Sequence, residues 1–255
     1  MKITLLLFFL SFINAQIALP TFQAVHTPHS TTSGPVTVAV VSSDSYSSKV
    51  ATAAQLNDDT YYDFTATALS VNEANESSEL ADYDVVIIGG SGHGGSGYTS
   101  TFYSALYTFM QSGGGILCAS WFIHESSSEY NGGGEQATHV AAITPYEDDG
   151  SYSYMSGGTV TILSTGHDVT SGISNFLNTG NYVEYEDAID SGAEKLGSAS
   201  TNSSACTIVV HDHGSNGRTG YLGGMYMARS TYGNSSMRSG VEDRLLEQMV
   251  YWLAN

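Results

Sequence analysis

The chain has 255 residues, with 25 acidic against 7 basic side chains and a formal charge of -18. Such a field repels phosphate, which excludes non-specific binding to nucleic acid or to an anionic membrane. The charged fraction is only 13%, and Ser, Thr, Gly and Tyr are abundant, as suits an extracellular surface.

The N-terminus has the form of a targeting segment. Lys2 supplies a positive charge, Ile3 to Phe9 an apolar run, and Ile13-Asn14-Ala15 a small-residue end. Residues 1–15 are therefore expected to be a secretory signal peptide. The apolar run is too short to span a bilayer, and no later stretch reaches the roughly 20 residues that a spanning helix needs. Residues 16–34 carry Pro20, Pro28 and a Ser-Thr-rich run, and read as an extended N-terminal segment. Residues 35–255 read as a single α/β domain.

Val36 to Val41 is the first expected strand, followed by a helix over 49–56 and a second strand over 62–69. A short helical piece is expected near Ser78 to Ala81. The most informative segments come next. Tyr83-Asp-Val-Val-Ile-Ile-Gly-Gly90 and Gly113-Gly-Gly-Ile-Leu-Cys-Ala-Ser-Trp121 are apolar runs bounded by small residues. They read as buried parallel strands over 85–88 and 116–119. Between them Phe102, Leu106, Phe109 and Met110 recur at helical spacing, predicting a helix over 99–111. The β-α-β-α-β order implies a parallel sheet with right-handed crossovers.

The second half has short strand patterns at 159–163, 182–185, 195–199, 207–211 and 219–222. Few helical patterns lie between them, so they read as antiparallel additions. Asn216-Gly217 is a tight-hairpin signal between the last two. A helix over 241–253 closes the chain, with Val241, Leu245, Met249, Val250 and Leu253 as its core stripe. The fold class is thus α/β, a flavodoxin-like parallel core flanked by helices with antiparallel C-terminal strands.

Several residue groups are candidates for chemistry. Cys118 and Cys206 either pair, as secretion permits, or remain buried thiols; their apolar surroundings favour the thiols. His211 and His213 are two apart on a strand, so both rings face one side and are candidates for a divalent metal, with no third ligand evident. No other cofactor is implied. His93 lies in a glycine-rich loop of the kind that can approach an anion, but the Lys and Ser/Thr of a phosphate loop are missing. Glu147-Asp-Asp-Gly150 is only a partial calcium loop. His124-Glu125 offers a base or ligand beside a sheet edge, against a plain reading as polar loop. Asn75, Asn202 and Asn234 are glycosylation acceptors if the source uses them. Tyr61, Tyr62, Tyr152, Tyr154, Tyr226 and Tyr232 fall in loop-like contexts, where a surface cluster would suit glycans or protein partners.

Four ordered segments carry a family resemblance. Two are Tyr83 to Gly90 and Gly113 to Trp121. The others are Gly166-His-Asp-Val-Thr-Ser-Gly-Ile173, and Gly217-Arg-Thr-Gly-Tyr-Leu-Gly-Gly224 with the Leu245 to Trp252 helix. Together they resemble the class I glutamine amidotransferase-like superfamily and, within it, the secreted trehalose-utilisation-type (ThuA-like) branch. The resemblance implies a nucleophilic Cys at a tight strand-to-helix turn of the form Gly-x-Cys-x-Gly. On that pattern Ser120 takes the nucleophile position, while Cys118 and Phe122 stand on the two glycines. It also implies backbone N–H donors for an oxyanion at Gly89 and Gly90, and a partner His where this chain has Tyr226.

Two functional expectations follow. The first is a secreted, non-catalytic or catalytically reduced amidotransferase-like domain for extracellular binding or assembly. Its partners would be other extracellular proteins, itself or glycans, contacted through residues 16–34 or through antiparallel edge strands. The second is a secreted hydrolase acting on a carbohydrate-related or acyl substrate with Ser120 and a neighbouring His such as His124.

Overall fold

In this computed structural model, residues 34–42, 47–89, 98–124, 126, 134–147, 152–178, 182–226 and 239–255 are described. The proposed signal peptide, most of the 16–34 segment, Gly90, His93, Glu125, Asp148 to Gly150, Tyr232 and Asn234 lie outside them.

Four strands open the sheet: β1 (Val36–Ser42), β2 (Phe64–Ser70), β3 (Val85–Gly89) and β4 (Gly115–Ser120). All four run parallel in the order β2-β1-β3-β4. β1, β3 and β4 read as nearly continuous apolar runs because both faces are covered, whereas β2, at the edge, alternates buried and exposed residues along its first half. Val38, Val40, Val85, Ile87, Leu117 and Ala119 enter one core, while Ala39, Val41, Val86, Ile88, Ile116 and Cys118 enter the other. This is the period-2 alternation of a strand buried on both sides. β2 starts at Phe64, two residues later than the sequence pattern suggests. The backbone N–H groups of Tyr61 and Tyr62 instead donate to Glu247 Oε2, each at 2.9 Å.

Helices α1 (Ser47–Leu56), α2 (Ser77–Leu80), α3 (Ser100–Gln111) and α4 (Gly134–Ile143) belong to this half of the chain. In α3 the Thr99 side chain accepts from Phe102 N at 3.1 Å and so caps the helix, and the expected stripe of Phe102, Leu106, Phe109 and Met110 is buried. Its core also takes Val140 and Ile143 from α4.

The second half supplies β5 (Ser153–Ser156), β6 (Thr159–Ile162), β7 (Phe176–Leu177), β8 (Tyr182–Tyr185), β9 (Glu194–Ala199), β10 (Ile208–Asp212) and β11 (Arg218–Tyr226). β11 lies parallel to β4, and β10, β9, β6 and β7 follow antiparallel, completing nine strands. β5 and β8 form a separate antiparallel pair. The chain ends in α5 (Gly240–Ala254). Leu245, Leu246, Met249, Val250 and Leu253 of α5 are buried in the first core, each contributing roughly 1.5–3 kcal/mol relative to exposure.

The fold class read from sequence is therefore the one observed. One local reading changes. The β10–β11 hairpin forms, but its turn is not a two-residue Asn-Gly type. Asp212 pairs with Arg218, and a 3-10 turn over Gly214–Asn216 lies between them. Both cysteines are buried free thiols. The Cys118 Sγ donates to Ile143 O at 3.7 Å, and burial pushes its thiol pKa well up.

Candidate functional site at the carboxyl edge of the sheet

β4 ends at Ser120, and the chain turns at Trp121 before a helical turn begins at Phe122. Trp121 has a φ of 67°. Positive φ is costly for a bulky residue and marks where the backbone is forced around the elbow. A strained strand-to-helix elbow presents the residue at its apex. The apex here is Trp121, one position beyond the residue that the sequence pattern aligns with a nucleophile, and an indole cannot serve as one. Ser120 itself is fully buried. Strand alternation turns it to the same face as Cys118, and its Oγ makes no hydrogen bond to any described residue.

Of the two expected oxyanion donors, Gly90 lies outside the described residues and Gly89 is engaged internally. Gly89 N donates to the Tyr98 hydroxyl at 3.3 Å, and that hydroxyl donates back to Gly89 O. At the start of the helical turn the acceptor is Glu184, from β8. His124 N donates to its Oε1 at 2.9 Å and Ile123 N to its Oε2 at 3.3 Å. The Trp121 backbone N–H also bonds to this carboxyl. The Tyr221 hydroxyl donates to Oε2 at 3.0 Å. Exposed backbone N–H groups at such a turn favour an anion, and the chain fills that place with its own side chain. Gly223 of β11 permits the fit. A Cβ there would stand 1.9 Å from the Glu184 carbonyl oxygen, so any larger residue would push β8 and its carboxyl away from the elbow.

Glu184 is completely buried, and burial pushes its pKa up to about 8 against the downward pull of its hydrogen bonds. Sequence reading passed over it. In Tyr-Val-Glu-Tyr a lone Glu looks like an outward-facing strand position, and the available signal was a single acid inside a short apolar strand whose partner face was unknown.

Aromatic side chains cover the elbow. The Trp121 ring lies 5.6 Å from Tyr154 and 6.0 Å from Tyr182, with Tyr154 and Tyr182 5.4 Å apart. The half-buried His124 ring packs 4.3 Å from Tyr152. Tyr152 and Tyr154 are exposed. Tyr152 and Tyr154 thus gather with Trp121, Tyr182 and His124 at the elbow, and no hydrogen bond joins His124 to Ser120. β11 brings Tyr226 into register with Ser120.

The other sequence candidates fall elsewhere. His211 and His213 do face one side, with ring centroids 3.8 Å apart. His213 Nε2 lies 3.0 Å from Thr219 Oγ1. Among the described residues no group of three or more His, Cys, Asp or Glu is arranged to hold a metal ion. Burial, reinforced by His211, lowers the His213 pKa to about 4. Asn75 and Asn202 are both partly exposed, on the short segments beside α2 and after β9.

No protein-family model matches the chain, and no curated protein matches it. Solved structures do. A ThuA-like protein from Bacteroides uniformis superposes with a TM-score of 0.60 at 14% identity, covering 89% of this chain and 94% of the other. A ThuA-like protein from Parabacteroides merdae gives 0.58 at 14% identity, covering 87% and 90%. A GMP synthase subunit from Thermoplasma acidophilum gives 0.55 at 9% identity, covering 86% and 94%. The chain has the ThuA-like, class I glutamine amidotransferase-like fold. Among the described residues of this ThuA-like fold, no helix is long and apolar enough to cross a membrane.

Ionisation at this edge and beyond sets a stability profile. Burial raises Glu184 to about 8, Glu247 to about 7 and Asp190 to about 6. A carboxyl raised in the folded state binds its proton more tightly than in the unfolded chain. Its contribution is complete below the unfolded pKa and is lost as pH rises through the folded one. For Glu184 that window runs from 4.5 to about 8. His213, lowered from 6.5 to about 4, acts in the opposite sense and destabilises as pH falls through that range. The melting temperature is therefore expected to peak at mildly acidic pH and to decline steadily toward pH 8. Thermal unfolding across pH 4 to 9 checks this, and a profile that climbs to pH 8 would contradict the burial of a protonated Glu184.

Proposed function

We propose that this chain is a secreted amidotransferase-like domain without catalytic activity, used for extracellular binding or assembly. The observation that carries this reading is the Glu184 carboxyl seated on the elbow N–H groups, where a reacting anion would have to bind. The buried Ser120 and the engaged Gly89 N–H support it in the same sense. A catalytic elbow keeps its donors open for a developing charge, and the stabilisation of that charge is usually the largest catalytic contribution.

For assembly, the β7 edge of the nine-stranded sheet, unpaired among the described residues, is the surface in view. β7 is only two residues long and carries Leu177, 67% exposed, while Leu163 just past β6 is 50% exposed. Unpaired edge groups flanked by apolar side chains invite a second copy. Sedimentation velocity over a wide concentration range should show self-association that a Leu163→Lys, Leu177→Lys double variant removes. A monomer at all concentrations would refute the assembly reading. Hydrolysis of p-nitrophenyl acetate or of glutamine should stay at the buffer rate. Turnover that Ser120→Ala abolishes would instead establish the hydrolase.

A further inference from the structure

A second candidate site lies at the opposite end of the parallel strands from the elbow. There a cavity of about 490 Å³ is lined by residues including Tyr62, Asp168, Arg218, Arg244, Tyr251 and Trp252. The volume falls in the range of small-molecule sites, roughly 300–1,000 Å³. In a chain with only 7 basic residues and a charge of -18, two arginines converge on this one cavity.

The two arginines are held differently. Arg218 is neutralised by Asp212, Nε to Oδ2 at 3.0 Å, and its Nη1 donates to Trp252 O at 2.7 Å. Its guanidinium lies 4.7 Å from the centre of the Trp252 ring. Arg218 thus fixes the indole. Arg244 forms no ion pair among the described residues. Its Nε donates to Gln248 Oε1 at 2.9 Å and its Nη2 to Ser171 O at 3.1 Å. Gln248 is itself anchored, with Nε2 donating to Asp168 O at 2.6 Å and to Ser171 O at 3.2 Å. A guanidinium oriented in this way is preorganised, with N–H groups still available for a planar carboxylate.

The walls supply the rest. Tyr62 and Tyr251 stack on each other at 4.4 Å, so each keeps one face, and Trp252, with Arg218 over one of its faces, lines the same cavity. Flat aromatic faces offer stacking to the apolar face of a ring. The Asp168 carboxylate accepts no hydrogen bond from any described residue, so it is available to hydroxyl donors. It also repels a ligand that is only an anion.

We propose that this cavity binds a sugar acid, with its carboxylate on Arg244, its ring against Tyr62, Tyr251 and Trp252, and its hydroxyls donating to Asp168. This inference stands apart from the elbow and from the assembly reading.

Calorimetric titration of the full chain with D-glucuronate, D-glucose and benzoate tests it. Glucuronate should bind saturably. Glucose, which lacks the carboxylate, and benzoate, which lacks the hydroxyls, should each bind about tenfold more weakly or worse. Arg244→Gln should weaken glucuronate by about tenfold and leave glucose unchanged. Tyr251→Ala, at a 42% exposed position, should weaken both sugars and provides the test if Arg244→Gln fails to fold. Absence of saturable glucuronate binding, equal binding of benzoate, or affinity indifferent to Arg244→Gln in a folded variant would each overturn the proposal.

Discussion

Glu184→Ala is expected to be among the most destabilising single substitutions in this chain, costing about 3 kcal/mol or more. It removes the acceptor for three backbone N–H groups and the Tyr221 hydroxyl inside the protein. Each buried donor left unsatisfied costs roughly 1–3 kcal/mol, partly offset if water enters the space. Urea unfolding measures the change. Glu184→Gln separates shape from charge. It keeps an oxygen for His124 N, and it cannot ionise. The Gln variant should lose less stability at pH 6 than the Ala variant, and its stability should vary less between pH 6 and 9 than that of the parent. A loss below about 1 kcal/mol for Glu184→Ala would mean that the elbow is organised by something else.

Gly217→Ala is expected to cost a comparable amount, about 3 kcal/mol or more, for a different reason. Gly217 has φ 81° and ψ -163°, a region that is essentially restricted to glycine. A Cβ there would lie 2.3 Å from Gly114 O, a backbone atom that cannot step aside alone. Backbone strain and overpacking each contribute roughly 1–3 kcal/mol. Ser215→Ala, exposed in the same turn, should fall within about 0.5 kcal/mol of the parent. Equal behaviour of the two variants would show that the turn is free to rearrange.

These two positions mark where sequence reading succeeded and where it ran out. The parallel core was legible because strands covered on both faces must be largely apolar, and Val36 to Val41 (Thr37 apart), Val85 to Ile88 and Ile116 to Ala119 say so directly. The helices α3 and α5 were legible from their stripes. Asn216-Gly217 announced a hairpin, and the hairpin exists. Its loop geometry did not follow, because Gly217 answers to the close approach of Gly114, which is over a hundred residues away. The elbow was misplaced by one residue for a related reason. Alignment to a motif puts Ser120 at the apex, yet which residue takes positive φ depends on where β4 stops pairing with β11. β5 and α4 escaped notice because Ser-Tyr-Met-Ser is polar and 134–143 has no sharp apolar stripe. Glu184 was invisible as a site residue, since only the packing of β8 against β11 brings it to the turn.

The chain contains two tryptophans, and the fold has put one at each end of the same parallel strands. Trp121 caps the elbow beside Glu184, and Trp252 lines the arginine cavity. Each end thus carries its own optical reporter. In a Trp252→Phe variant the remaining emission follows the protonation of Glu184, and in a Trp121→Phe variant it follows occupancy of the cavity. Light from a single indole can therefore show whether an event at one end of the sheet is felt at the other.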